Sequence, residues 1–264
     1  MPTDALIDKL DTFIVKSRHQ VRELMGDELF ARLDTKEFEA GKPDGTDEWS
    51  TLSAMASYIC LNAYEEAIPS LDLVLTSTGF GVVSNQHVAP ASADRVRNLR
   101  TQIAAERDDA LDMLLSLLRD FEEWRDSDQA QMIFSSLFWH GADMTHFPDM
   151  QRAHRSDLIA ARPKIAAGEE ALKRVISPEL FEALCGDIRK KANSVRRESF
   201  ITHCRRFVAR AADGLDTTQQ RLSLIAYLDR FLEYFPEYEG SSAYKANHFT
   251  PYENRRHDSC YFFG

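Results

Sequence analysis

The stretch from Pro69 to Ser92, PSLDLVLTSTGFGVVSNQHVAPAS, reads differently from the rest of the chain. Leu71 to Thr76 and Phe80 to Ser84 are rich in β-branched and apolar residues. Ser77-Thr78-Gly79 between them offers a residue able to take a positive φ, so the stretch predicts a β-hairpin over about 71–84. The remainder reads as helix. The sequence therefore predicts a mainly α protein with one hairpin set into it.

On the N-terminal side, Thr3 and Asp4 are placed to cap a helix with Leu6, Ile7, Leu10, Ile14, Val21 and Leu24 at three- and four-residue steps, ending near Gly26. A short helix over Glu28–Leu33 follows, then the turn formers Gly41-Lys42-Pro43-Asp44-Gly45. Asp47 caps a helix expected to stop at Pro69, because the residue before proline is pushed out of the α region.

Beyond the hairpin, Ser92 is the expected N-cap of the longest helix, which carries its apolar stripe to about Arg125. Gln129–Trp139 reads as a short apolar helix, and His140–Pro148 as the junction between domains 1–140 and 141–264. Helices at about Ser156–Ile176, Pro178–Cys185, Ile188–Ala212 and Thr217–Phe235 follow. Pro163 requires a first turn or a kink.

The chain also matches itself at an offset of 151 residues. Ile7, Ile14, Val21, Leu24 and Met25 fall on Leu158, Ile165, Leu172, Val175 and Ile176, and Glu28-Leu29-Phe30 falls on Glu179-Leu180-Phe181. Two related helical units are the expectation.

Composition narrows the function classes. The formal net charge of −10 opposes a surface built to grip nucleic acid, although DNA can still pass by without specific binding. The basic runs Arg189-Lys190-Lys191, Arg196-Arg197 and Arg205-Arg206 fall on one expected helix, as a solvated face or a contact for an acidic partner. No apolar run approaches the roughly 20 residues needed to cross a bilayer, and Met1–Lys9 lacks the features of a signal peptide, so the expected location is cytoplasmic. Four scattered cysteines point to reduced thiols, with Cys60 and Cys204 expected in the core.

Motifs for chemistry are sparse. Gly79-Phe80-Gly81 lacks the third glycine of a dinucleotide fingerprint and is followed by strand formers, so no cofactor is expected. His140, Asp143, His146, Asp149 and His154 are a dense set of possible ligands, but they do not form the i, i+4 histidine pair of a helical zinc site. A polar junction is the plainer reading, with a metal-dependent enzyme using His140, Asp143 and His146 as the alternative. Cys260 near His257 and Asp258 sits on too short a tail to form an oriented triad. Tyr261, Phe262 and Phe263 are apolar for a chain end and are expected to form a C-terminal strand against the hairpin or against a neighbouring subunit.

Leu73–Ser84 between Gly26 with its Glu-Leu-Phe helix and the Ala89-Pro90-Ala91-Ser92 entry to a long helix, together with Tyr252–Asp258, resembles a family of phage and prophage proteins of the Bacteroides group. More loosely, this order of elements resembles the helical head–tail connector proteins of tailed phages. The resemblance implies a structural virion component: a homo-oligomeric ring meeting portal or tail parts; it carries no catalytic residues over to this chain. Gly79, Phe80, Gly81, Tyr261, Phe262 and Phe263 are the residues expected to meet neighbours. A soluble helical interaction protein without a phage role is the remaining alternative.

Overall fold

The structure, a computed structural model, describes residues 2–35, 47–71, 73–76, 79–82 and 92–249. Over these the chain is mainly helical. It divides into two compact units, the first made of residues 1–145, 149–162 and 189–191 and the second of 146–148, 163–188 and 192–264. The division falls inside a helix at Pro163, later than the 140/141 boundary expected from the sequence.

In the first unit, α1 (Pro2–Met25) and α2 (Asp27–Asp34) meet at Gly26, and α3 (Asp47–Leu71) packs against α1 and against α4 (Ala93–Leu118). Ser17, Val21 and Met25 recur every four residues as the buried stripe of α1. The small Ser17 accepts a hydrogen bond from Asn62 Nδ2 of α3 at 2.9 Å, and the same amide donates to Gln20 Oε1 at 3.0 Å. That polar pair is satisfied inside an apolar seam, so it fixes register there.

α5 (Glu122–Arg125) closes the unit by burying Trp124, whose indole N–H donates to the Leu24 carbonyl at 2.9 Å. α6 (Asp128–Ile133) is capped by Ser127 and ends well short of Trp139. The expected helix to Trp139 fails because serines compete for the backbone: Ser135 Oγ donates to the Met132 carbonyl, and Ser136 Oγ accepts from the Phe138 amide.

Between α3 and α4, β1 (Leu73–Thr76) and β2 (Gly79–Val82) pair antiparallel, with Leu73 opposite Val82 and Thr76 opposite Gly79. Leu71, expected in the first strand, instead ends α3, which carries Pro69 in its last turn. A proline there forfeits only one terminal hydrogen bond, and Ser70 Oγ supplies a donor to the Ala67 carbonyl at 2.8 Å. α4 begins as expected, with Ser92 Oγ accepting from the Arg95 amide. It stops at Leu118, where the Asp120 and Phe121 amides turn back onto the Leu117 and Leu118 carbonyls.

The second unit takes most of α7 (Arg155–Ile176) and α8 (Pro178–Lys190), with α9 (Val195–Ala212), α10 (Thr218–Arg230) and α11 (Ser242–Asn247). The single helix expected over Ile188–Ala212 is two helices. Lys191 takes φ 53°, and Ser194 caps α9 through the Arg197 amide, so the basic runs belong to different elements. The Thr217–Phe235 helix likewise ends at Arg230, followed by a 3-10 turn at Leu232–Tyr234.

Phe200, Phe235 and Tyr238 form the aromatic centre of this unit, all fully buried. Gly168 of α7 lies so close to α9 that an added Cβ would come within 2.7 Å of the Val208 carbonyl oxygen, so only glycine permits that approach. Gly168 is the position matched to Ser17 by the 151-residue offset, and both are small residues at a helix crossing.

Candidate interaction surfaces

Three of the possible metal ligands, His140, Asp143 and His154, are engaged in other contacts. The Asp143 carboxylate accepts from the Trp139 and His140 amides at 3.1 and 3.0 Å, capping the turn that follows. His140 Nδ1 accepts from the Ala142 amide at 3.0 Å and lies 3.3 Å from Asp112 Oδ2. His154 Nδ1 is 3.2 Å from Asp109. Among the described residues no group of three or more His, Cys, Asp and Glu side chains is disposed to hold a metal ion.

A buried charge network occupies this region instead. Asp108 and Asp112, one turn apart on α4, hold the start of α7. Asp112 Oδ1 accepts from Arg155 Nη1 at 2.6 Å, and Oδ2 accepts from the Gly141 amide at 2.6 Å. Arg155 Nη1 also donates to the Trp139 carbonyl, and Asp108 Oδ2 accepts from the Ser156 amide at 2.8 Å, where a helix N-terminus favours negative charge. Gly141 has no room for a side chain: a Cβ would lie 2.7 Å from the His154 carbonyl carbon and 2.8 Å from the Arg155 amide. Arg107 bridges Asp108 and Glu65. Each carboxylate oxygen of Asp112 has its partner, so this network is a clamp on the chain from Trp139 to Ser156.

The cysteines offer no reactive thiol among those best protected. Burial pushes the Cys185 and Cys204 thiols up, far from the thiolate form. Cys60, expected in the core, is exposed.

A different surface stands out on the second unit. The adjacent arginines Arg196 and Arg197 at the start of α9 have opposite fates. Arg197 is half-buried and saturated, donating to Asp187 Oδ2 at 2.5 Å, to both Glu237 oxygens at 2.7 and 2.6 Å and to the Tyr234 carbonyl at 3.0 Å. Arg196 is exposed and makes no ion pair among the described residues. Its guanidinium lies 4.3 Å from the centre of the Phe231 ring, and that of Arg230, also exposed and without an ion pair, lies 5.2 Å from the same ring.

Tyr227 supports the arrangement by stacking on the buried Phe200 and donating its hydroxyl to the Arg196 carbonyl at 3.0 Å. Arg196, Ser223, Ala226, Tyr227, Arg230 and Phe231 line an open groove of about 430 Å³. Leu222 and Val195 beside it are 56% and 81% exposed. Arginine over an aromatic ring with apolar neighbours is the composition of a contact surface. Sequence reasoning missed it because the Lys191–Ser194 break was not read, although Asn193-Ser194 is a cap signal.

Of the interaction residues expected from the sequence, Gly79, Phe80 and Gly81 lie in β2, opposite Thr76, Leu75 and Val74. Tyr261, Phe262 and Phe263, with the expected C-terminal strand, lie outside the described residues.

The model of a family of unknown function, DUF6712, matches residues 21–132, from the end of α1 into α6 and within the first unit. No curated protein and no solved structure matches the chain. Among the described residues no helix is long and apolar enough to cross a membrane.

Proposed function

We propose that the chain is a structural assembly protein: a head–tail connector or neck component of a tailed phage or prophage, forming a homo-oligomeric ring between portal and tail parts. The observation that carries the reading is the β1–β2 pair set between α3 and α4. Two strands of four residues make too small a sheet to be stable alone in water, and among the described residues no third strand covers either edge. Open edges on a short hairpin are offered to another chain, by the same backbone pairing that recruits strands elsewhere.

Two further features support it. Leu99, on the part of α4 that leaves the hairpin, is 43% exposed and gives a neighbour apolar surface. The net charge of −10 suits a wall that DNA passes without sticking. In this reading the protein is made in the cytoplasm and ends in the virion.

The test is replacement of Leu73–Val82 by a Gly-Ser linker of equal length in the full chain, with native mass measured before and after. Loss of the oligomer with the helical circular dichroism retained supports the reading. An oligomer of unchanged size removes the hairpin from the interface and the main support for a connector.

A further inference from the structure

The lining of the groove between α9 and α10 carries two arginines and no acidic residue, while the α5–α6 corner of the first unit carries an excess of carboxylates around Arg125. At the α5–α6 corner Glu122, Asp126 and Asp128 are exposed and make no ion pair among the described residues. Glu123 beside them is already held by Arg32 at 2.7 Å. Met132, one turn after Asp128 on α6, is 72% exposed, so the corner carries an apolar side chain beside its charges. The groove supplies Arg196 and Arg230 for the carboxylates, and the exposed Leu222 and Val195, next in sequence to the lining residues Ser223 and Arg196, give apolar surface for the methionine.

We propose that the groove receives the acidic α5–α6 corner of a second copy of this chain. The contact is head-to-tail, because one copy gives its corner and the other its groove. Such contacts propagate and close into a ring when the rotation permits. This rests on the assembly reading above and names a second interface for it. A polynucleotide is the less favoured occupant. It would bring a continuous row of phosphates toward a chain of net charge −10, whereas the corner brings a few carboxylates placed against a local cationic patch. The two guanidiniums are already held near Phe231, so less side-chain freedom is lost when they are engaged.

The experiment is sedimentation velocity of the full chain over a range of concentrations, for wild type, Arg196→Glu/Arg230→Glu, Glu122→Arg/Asp126→Arg/Asp128→Arg, and an equimolar mixture of the two variants. All substituted residues are exposed, and circular dichroism confirms folding. The expected result is that each variant alone self-associates at least about tenfold more weakly than wild type, while the mixture, with the charges exchanged, recovers association. A wild type that assembles while Arg196→Glu/Arg230→Glu assembles equally well overturns the groove contact and leaves the hairpin reading standing. A wild type that stays monomeric throughout overturns the assembly reading and this contact with it. Unchanged assembly combined with loss of single-stranded oligonucleotide binding in the arginine variant assigns the groove to a polyanion and overturns the copy contact.

Discussion

Gly26 and Ser177, separated by the same 151 residues as the sequence repeat, occupy the same joint with the same backbone twist, at φ 83° and 84°. Each lies between a long helix and a short one. The Gly26 amide donates to the Arg22 carbonyl and the Ser177 amide to the Lys173 carbonyl, at 2.9 and 3.0 Å, and the Phe30 and Phe181 amides return to Gly26 and Ser177, both at 3.1 Å. The matched positions after the joint, Leu29 and Leu180, Phe30 and Phe181, and Leu33 and Leu184, are all buried. A cation lies over each phenylalanine, Arg18 over Phe30 and Lys173 over Phe181. The repeat is thus one of geometry as well as of pattern.

The two joints solve the same problem differently. Glycine takes positive φ freely, while Ser177 is strained but caps α8 by accepting from the Leu180 amide at 3.2 Å. Gly26→Ala meets no atom within 4 Å, so its cost is conformational, and urea unfolding should show a loss of about 1 to 2 kcal/mol. Ser177→Gly relieves strain and loses the cap, so it should be neutral or stabilising by up to about 1 kcal/mol. Equal destabilisation by both would contradict the strain account.

Arg196 and Arg197, neighbours in sequence, should differ sharply on replacement by alanine. Arg197→Ala strands Asp187 and Glu237 and should cost about 2 to 3 kcal/mol, discounted from a fully buried pair because the partners are partly exposed. Arg196→Ala should stay within about 0.5 kcal/mol. Thermal melts of both variants check the contrast.

Asp112→Asn should be among the most damaging changes in the first unit. It leaves the Arg155 guanidinium, 9% exposed at its side chain, without its counter-charge, at a cost of about 3 to 5 kcal/mol. Hydrogen exchange should accelerate first at the Gly141 and Ser156 amides, whose acceptors are Asp112 and Asp108. Slow exchange there in the variant would show that the clamp is dispensable.

His203 should titrate below its ordinary 6.5, because burial and then the Arg206 charge disfavour the imidazolium. With the folded value lowered, the unfolded chain binds more protons, so stability is full above 6.5 and falls as pH drops through the folded value. An NMR titration of the His203 ring checks this, and Arg206→Ala should move its midpoint upward.

The helical class, the Ser92 cap and the joint at Gly26 were legible because local patterns decide them. The break at Lys191–Ser194 was hidden by apolar spacing that continues from Ile188 through Phe200 and Cys204, so period alone reads one helix. The His140–His154 cluster looked like ligands because sequence shows donor types without their partners. Asp112 and Asp109, about 30 to 45 residues away in the chain, take those side chains. The groove was illegible for a related reason: Arg196 and Arg197 are identical in sequence, and only the fold distributes Asp187 and Glu237 to one of them.

Light scattering of the full chain across a wide concentration range tests assembly most directly. The expected result is one dominant species whose mass is a fixed multiple of the chain and which is lost when Leu73–Val82 is replaced. A protein of single-chain mass at every concentration would contradict it.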